Sequence, residues 1–177
     1  MRPRRRFAIF CALTAVLGLS GCARENISQI DYRMGEKVVD GPLIYTVIET
    51  TWVMQLGDMF HARLPEQRFM LVSISVTNSG GHEVSVPLLT LKNSSGKEFE
   101  ELRDGQGIDR WFGLLRTIQP AQTLQGRILF DVPLSSYKLR LTDGGEPGSE
   151  KYAWVDIPLS MDTDSVVDAP TPGIPSK

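Results

Sequence analysis

Few side chains in this chain could carry chemistry, and their spacing sorts them. Histidine occurs twice, at His61 and His82. His61 follows Met54 and Met59 in the pattern Met54-x4-Met59-Phe60-His61, and thioether with imidazole suits Cu(I). The spacing follows no copper motif, and Met and Phe near a strand end more often fill a core. His82 sits in a glycine-rich turn, a solvated position. Glu98, Glu100, Glu101, Asp104 and Asp109 could offer oxygens to calcium, yet the loop D-x-[DN]-x-[DN]-G is absent and a run of charge is usually a solvated face. There is no G-x-S-x-G elbow and no G-x-x-x-x-G-K-[ST] phosphate loop. A carboxylate pair of the glycosidase kind needs a groove between acid and base, and a small packed domain offers little. The expectation is a protein that is not an enzyme and carries no cofactor. Met54, Met59 and His61 remain weak candidates for a metal- or small-ligand-binding alternative.

Arg110, Trp111 and Phe112 are the more suggestive group, in the loop-like stretch "GIDRWFGLLR" that ends on Arg116. Arginine and aromatics on a loop are the residues of interface hot spots. The plainer use of Trp111 is to plug one end of the domain.

Cysteine is the remaining reactive type, and it occurs at Cys11 and Cys22 only. The first six residues hold four arginines, and Phe7 to Leu19 is apolar apart from Thr14. A basic head and an apolar run of this length make an export signal, too short to span a bilayer. It ends Leu19-Ser20-Gly21-Cys22, which resembles the bacterial lipobox. In signals of that kind a diacylglycerol thioether forms on the cysteine and the chain is cut before it. Each buried methylene contributes roughly 0.8 kcal/mol, so two or three acyl chains anchor durably where one does not. Residues 1–21 are thus expected to be a cleaved signal and Cys22 the lipidation site. Ala23-Arg24, with no Asp following Cys22, would favour the outer membrane, facing the periplasm, if the cell is Gram-negative.

Cleavage changes the balance of charge. Of 19 basic side chains, four leave with the signal, so 15 face 21 acidic ones, a net of about −6. That balance argues against nucleic acid as a partner and against electrostatic adhesion to anionic lipid. Membrane contact should come from the lipid alone, with an envelope protein or polymer as the expected class of partner for a binding surface. With Cys22 lipidated, the exported domain has neither thiol nor disulfide and must be held by its core.

The elements that would position any site are strands. Met70, Val72, Ile74 and Val76 alternate with more polar neighbours, as do Leu124, Gly126, Ile128, Phe130 and Val132, then Tyr137, Leu139 and Leu141. "LIYTVIETTWV", "EVSVPLLTLK", "KEFEEL" and "YAWVDI" supply four more, the second interrupted or at an edge because Pro87 cannot donate to a ladder. Asn78-Ser79-Gly80-Gly81, Asn93-Ser94-Ser95-Gly96 and Asp143-Gly144-Gly145 provide turns. About seven short strands with frequent turns predict an all-β, antiparallel β-sandwich. The predicted layout is a tether over 22–37, one domain over 38–159 and a disordered tail over 160–177, rich in Pro, Asp and Ser.

"RFMLVSISVTNSGGHEVSVP" and "LQGRILFDVPLSSYKLRL" resemble the two signatures of a bacterial family of unknown function. Its first signature is an apolar strand ending Thr-Asn before a glycine-rich turn. Its second is a glycine before Phe-Asp-Val-Pro, then Tyr and alternating leucines. The resemblance covers roughly Val38 to Ile157. It implies an immunoglobulin-like fold similar to that of a mycobacterial immunoprotective secreted antigen, and it carries over no catalytic residue. Asn78, Pro133 and Tyr137 are expected to serve the fold: closing a turn, ending a strand and tying a corner. The functional expectation is a lipid-anchored module that binds without catalysis.

Overall fold

A computed structural model describes residues 31–58, 60–145 and 150–160. The expected signal, Cys22, and the tail beyond Ser160 lie outside the described residues. Eleven strands run in chain order: β1 (Asp31–Arg33), β2 (Lys37–Asp40), β3 (Leu43–Val53), β4 (Phe69–Asn78), β5 (Val84–Ser85), β6 (Thr90–Asn93), β7 (Glu98–Glu100), β8 (Thr117–Ile118), β9 (Thr123–Asp131), β10 (Tyr137–Thr142) and β11 (Tyr152–Ile157). They form a five-stranded sheet in the order β1-β11-β10-β6-β7, a four-stranded sheet β2-β3-β4-β9 and a short β5-β8 ladder. All pairs are antiparallel except β1 with β11.

The expected count of about seven strands is therefore low. β1, β2 and β8 are additional, and "EVSVPLLTLK" is split into β5 and β6 around Pro87. Pieces of two to four residues carry too little alternation to be seen as strands. The sheet also begins at Asp31, inside the stretch expected to be tether, because β1 pairs along the edge of β11.

Alternation decides what fills the space between the sheets. From β4 come Met70, Val72, Ile74 and Val76, from β9 Ile128 and Phe130, and from β10 Tyr137, Leu139 and Leu141, all buried in one cluster. Each such side chain contributes roughly 1.5–3 kcal/mol by leaving water. Leu124, predicted to face inward, is partly exposed at the start of β9.

β4 is buried on its other face too. Phe69, Leu71 and Leu129 form a second cluster with Leu56, beneath Val53, Leu102 and Ile108. The long connection after β3 folds back to make this possible. Leu56 and Arg63 exchange backbone hydrogen bonds of 2.9 and 2.8 Å, which turns Leu56 onto the outer face of the four-stranded sheet.

The three residues expected to serve the fold do so. The Asn78 side chain is fully buried. Its amide donates to the carbonyls of His82 (2.7 Å) and Ile118 (2.8 Å), and its oxygen accepts from the Gly80 N–H at 2.8 Å. Pro133 follows the end of β9, and the Tyr137 hydroxyl donates to its carbonyl at 2.6 Å. A second tyrosine ties the two sheets together: Tyr45 on β3 donates to the Thr142 carbonyl on β10 at 2.7 Å. Burial pushes the Tyr45 hydroxyl well above the ordinary phenol range, so it stays a donor.

Candidate functional site

β11 sends Ala153, Val155 and Ile157 toward the core, so Tyr152, Trp154 and Asp156 face outward. The register sets their neighbours. Trp154 lies opposite Asp31 on β1 and Arg140 on β10, and Asp156 lies opposite Arg33 and Lys138. Lys138 Nζ is 2.5 Å from Asp31 Oδ2 and 3.6 Å from Asp156 Oδ1. The hydrogen bond to Asp31, with Asp156 beside it, holds the Lys138 ammonium above its ordinary range.

Lys92 reaches over from β6, beyond β10, and sets its Nζ 5.6 Å from the centroid of the Trp154 ring. Tyr152 meets the same ring edge-on at 6.1 Å. Arg140 stacks 4.6 Å over Tyr152 and pairs with Glu150. Asp31, Lys92, Ser136, Lys138, Trp154 and Asp156 line a groove of about 600 Å³ across this sheet face. Two carboxylates and two ammonium groups balance within it. Its lining holds no histidine or cysteine. The arrangement offers fixed donors and acceptors around an aromatic floor, which is recognition chemistry.

None of these groove residues stands out in the sequence. The signal is present in β11, where an indole occupies an outward position of an otherwise regular alternation. A large aromatic there has no core to fill.

The expected surface of Arg110, Trp111 and Phe112 is divided by the fold. The Arg127 N–H donates to the Arg110 carbonyl at 2.8 Å, and the Phe112 N–H donates to the Arg127 carbonyl at 2.9 Å. This pins the segment along the outer edge of β9. Phe112 then enters the main core, Trp111 lies half-buried, and Arg110 is exposed beside Asp109. Two glycines make room. A Cβ on Gly126 would stand 2.9 Å from both the Arg110 oxygen and the Phe112 ring, and one on Gly105 would overlap the Trp111 indole. Trp111 therefore packs over Gly105, and its Nε1 is buried without a partner. Leu115, three residues beyond Phe112, is 97% exposed.

Arg116 is the buried member of this stretch. Its guanidinium forms a two-pronged pair with Glu101, and both side chains are fully shielded from solvent. It also donates to the carbonyls of Gly113 and Pro87 and stacks on Phe112. Burial pushes the Glu101 carboxyl up, against the pull of Arg116 and of the Leu89 N–H. Glu101 thus leaves the acidic group considered for calcium: it ties the chain before Leu89 to the loop before β8. Glu98 and Glu100 remain exposed, Asp104 faces Arg63, and Asp109 faces Arg110.

Of the weak metal candidates, Met54 is 71% exposed, and His61 is exposed with its ring 3.2 Å from Asp58. Met59 lies outside the described residues. Among the described residues no three His, Cys, Asp or Glu side chains converge to hold a metal.

The architecture defines an all-β, multi-stranded, sandwich-like domain. Residues 32–153 match the family described as Domain of unknown function (DUF4352), and the chain belongs to that family. The fold is similar to that of the yjhA protein from Bacillus subtilis, at 14% identity with a TM-score of 0.54 over 71% of this chain and 98% of that one. It is similar to a functionally unknown protein from Listeria monocytogenes EGD-e, at 12% identity and 0.53, over 71% and 82% of the two chains. It also resembles MPT63, a secreted protein from Mycobacterium tuberculosis, at 16% identity and 0.50, over 73% and 97%. At these identities the likeness is one of fold. No curated protein sequence matches the chain.

Proposed function

We propose that this chain is a non-catalytic binding module of immunoglobulin-like fold, anchored in a bacterial cell envelope by a lipid on Cys22. Residues 1–21 are the export signal that cleavage removes, and the domain holds an envelope partner on its sheet face. The groove over Trp154 carries this reading: about 600 Å³ of charge-balanced surface with the Trp154 indole beneath Lys92. A five-stranded and a four-stranded sheet packed around one core support the immunoglobulin-like assignment. The lipobox-like ending of the signal and the acidic balance of the mature chain support a lipid anchor without electrostatic adhesion.

The anchor and the groove are close in sequence. Asp31 lines the groove and stands nine residues after Cys22. Nine extended residues span at most roughly 30 Å. The module therefore works next to the membrane that holds it.

Two measurements test the proposal. Labelled palmitate should enter the wild-type protein and not Cys22→Ala, which should appear in the soluble fraction. A photocrosslinker at Ser136, in the groove, should capture an envelope component that one at Leu115 does not. An unlabelled wild-type chain would remove the anchor, and no capture from Ser136 would remove the binding role of the groove.

A further inference from the structure

We infer that the groove over Trp154 is a saccharide site that takes a neutral glycan strand, one sugar ring lying on the indole. The inference rests on the binding role proposed above and names the ligand class. Three features of the groove lead to it.

The first is the pairing of an aromatic floor with a polar rim. A pyranose ring has apolar C–H faces and an equator of hydroxyls. It matches a flat π surface edged by groups that both donate and accept. Trp154 supplies the surface. Lys138 is a donor, Asp31 and Asp156 are acceptors, and Ser136 is both. The Asp31–Lys138–Asp156 bridge spans β1, β10 and β11 and is already assembled, so little side-chain ordering is left for the ligand to impose.

The second feature is charge. Asp31 and Asp156 balance Lys92 and Lys138, so the groove has no net field to concentrate an anionic or cationic polymer. A polyanion would meet the two carboxylates and a polycation the two ammonium groups. An uncharged polyhydroxyl chain meets neither penalty and can hydrogen-bond Asp31, Lys138 and Asp156.

The third is Lys92. Trp154 is only 7% exposed, with the Lys92 ammonium set over its ring and Tyr152 packed against its edge. Among the described residues Lys92 has no carboxylate partner, whereas Lys138 has two. One cation–π contact at a solvent-facing position is a weak hold. Lys92 is thus a movable cover: it shields the indole from water in the free protein and swings aside when a sugar ring takes its place.

The probes are β-1,4-linked tetramers of glucose and of N-acetylglucosamine, titrated calorimetrically into the mature protein, purified from its native membrane in detergent. At least one should bind, with an affinity nearly unchanged between about 50 and about 500 mM salt, since no net charge is neutralised. Trp154→Ala should abolish binding. Lys92→Ala should tighten it by about two- to fivefold, the worth of the contact the sugar no longer displaces. That gain in a truncated side chain is not expected of a merely structural residue, and it stands even if Trp154→Ala fails to fold. If neither tetramer binds while Ser136 still captures an envelope component, the saccharide assignment is wrong and the binding role survives. Binding that Lys92→Ala weakens, or that salt abolishes, overturns the movable cover and the neutral ligand.

Discussion

The Arg116–Glu101 pair is the point at which the fold is most exposed to a single change. Arg116→Met replaces the guanidinium by an apolar chain of similar length. Glu101 stays behind, fully buried, with only the Leu89 N–H to stabilise its charge. The carbonyls of Gly113 and Pro87 lose their donor as well. Breaking a buried pair by removing one partner costs roughly 3–5 kcal/mol, and each orphaned carbonyl adds up to about 1 kcal/mol. For a domain of this size that is a fall in melting temperature of roughly 10 °C or more. The loss must also depend on pH. Without Arg116 the Glu101 carboxyl titrates higher in the folded than in the unfolded state, so its burial is tolerated below the unfolded value and penalised as pH rises through the folded one. Urea unfolding followed by tryptophan fluorescence should therefore show a larger deficit at pH 7 than at pH 4. Glu101→Gln added to Arg116→Met should recover at least half of it, because the stranded charge is gone. A deficit under about 1 kcal/mol at pH 7, or one that neither acid nor Glu101→Gln relieves, would refute this account of the pair.

Asn78→Asp turns two donated hydrogen bonds into a carboxylate facing the carbonyls of His82 and Ile118. It should cost more than Asn78→Ala in the same urea assay, by upward of about 1 kcal/mol. Asp40 is 5% exposed with Oδ2 unpartnered, and burial, then Asp143, push its carboxyl above the ordinary value of 3.8. A raised folded value means stability is lost as pH climbs through it, so Asp40→Asn should raise the melting temperature at pH 7 and give no gain below about pH 4. Gly105→Ala drives a methyl into the Trp111 indole. It should shift the tryptophan emission to the red as Trp111 is expelled, at a cost of roughly 1–3 kcal/mol.

Strands with a full period of alternation are legible in the chain alone. "LIYTVIETTWV" is β3 residue for residue, and Met70, Val72, Ile74 and Val76 point inward as their spacing requires. The turn at Asn78 and the roles of Pro133 and Tyr137 are legible as well, because they depend on partners a few residues away, whereas the Asn78 bond to Ile118, forty residues on, is not. β1, β2 and β8 are not. They are strands only because a neighbour's edge stands ready to pair with them, and pairing is not encoded in two to four residues. The burial of Leu71 and Leu129 is hidden for a similar reason. Their faces look solvent-exposed until the connection after β3 folds across them.

The expected address, the net charge and the class of fold follow from the order of residues alone. A signal is read as a linear string, net charge is a sum, and side-chain alternation is a property of one strand. Which residues face a ligand is set only when the sheets assemble. Arg110, Trp111 and Phe112 look like a surface in the chain, yet hydrogen bonding along β9 turns Phe112 into the core and lays Trp111 over Gly105. Asp31, Lys92, Lys138, Trp154 and Asp156 come from four strands spread over more than a hundred residues and become one groove through sheet register alone. Register is a relation between strands, fixed by packing across the whole sandwich, and no single stretch of sequence contains it.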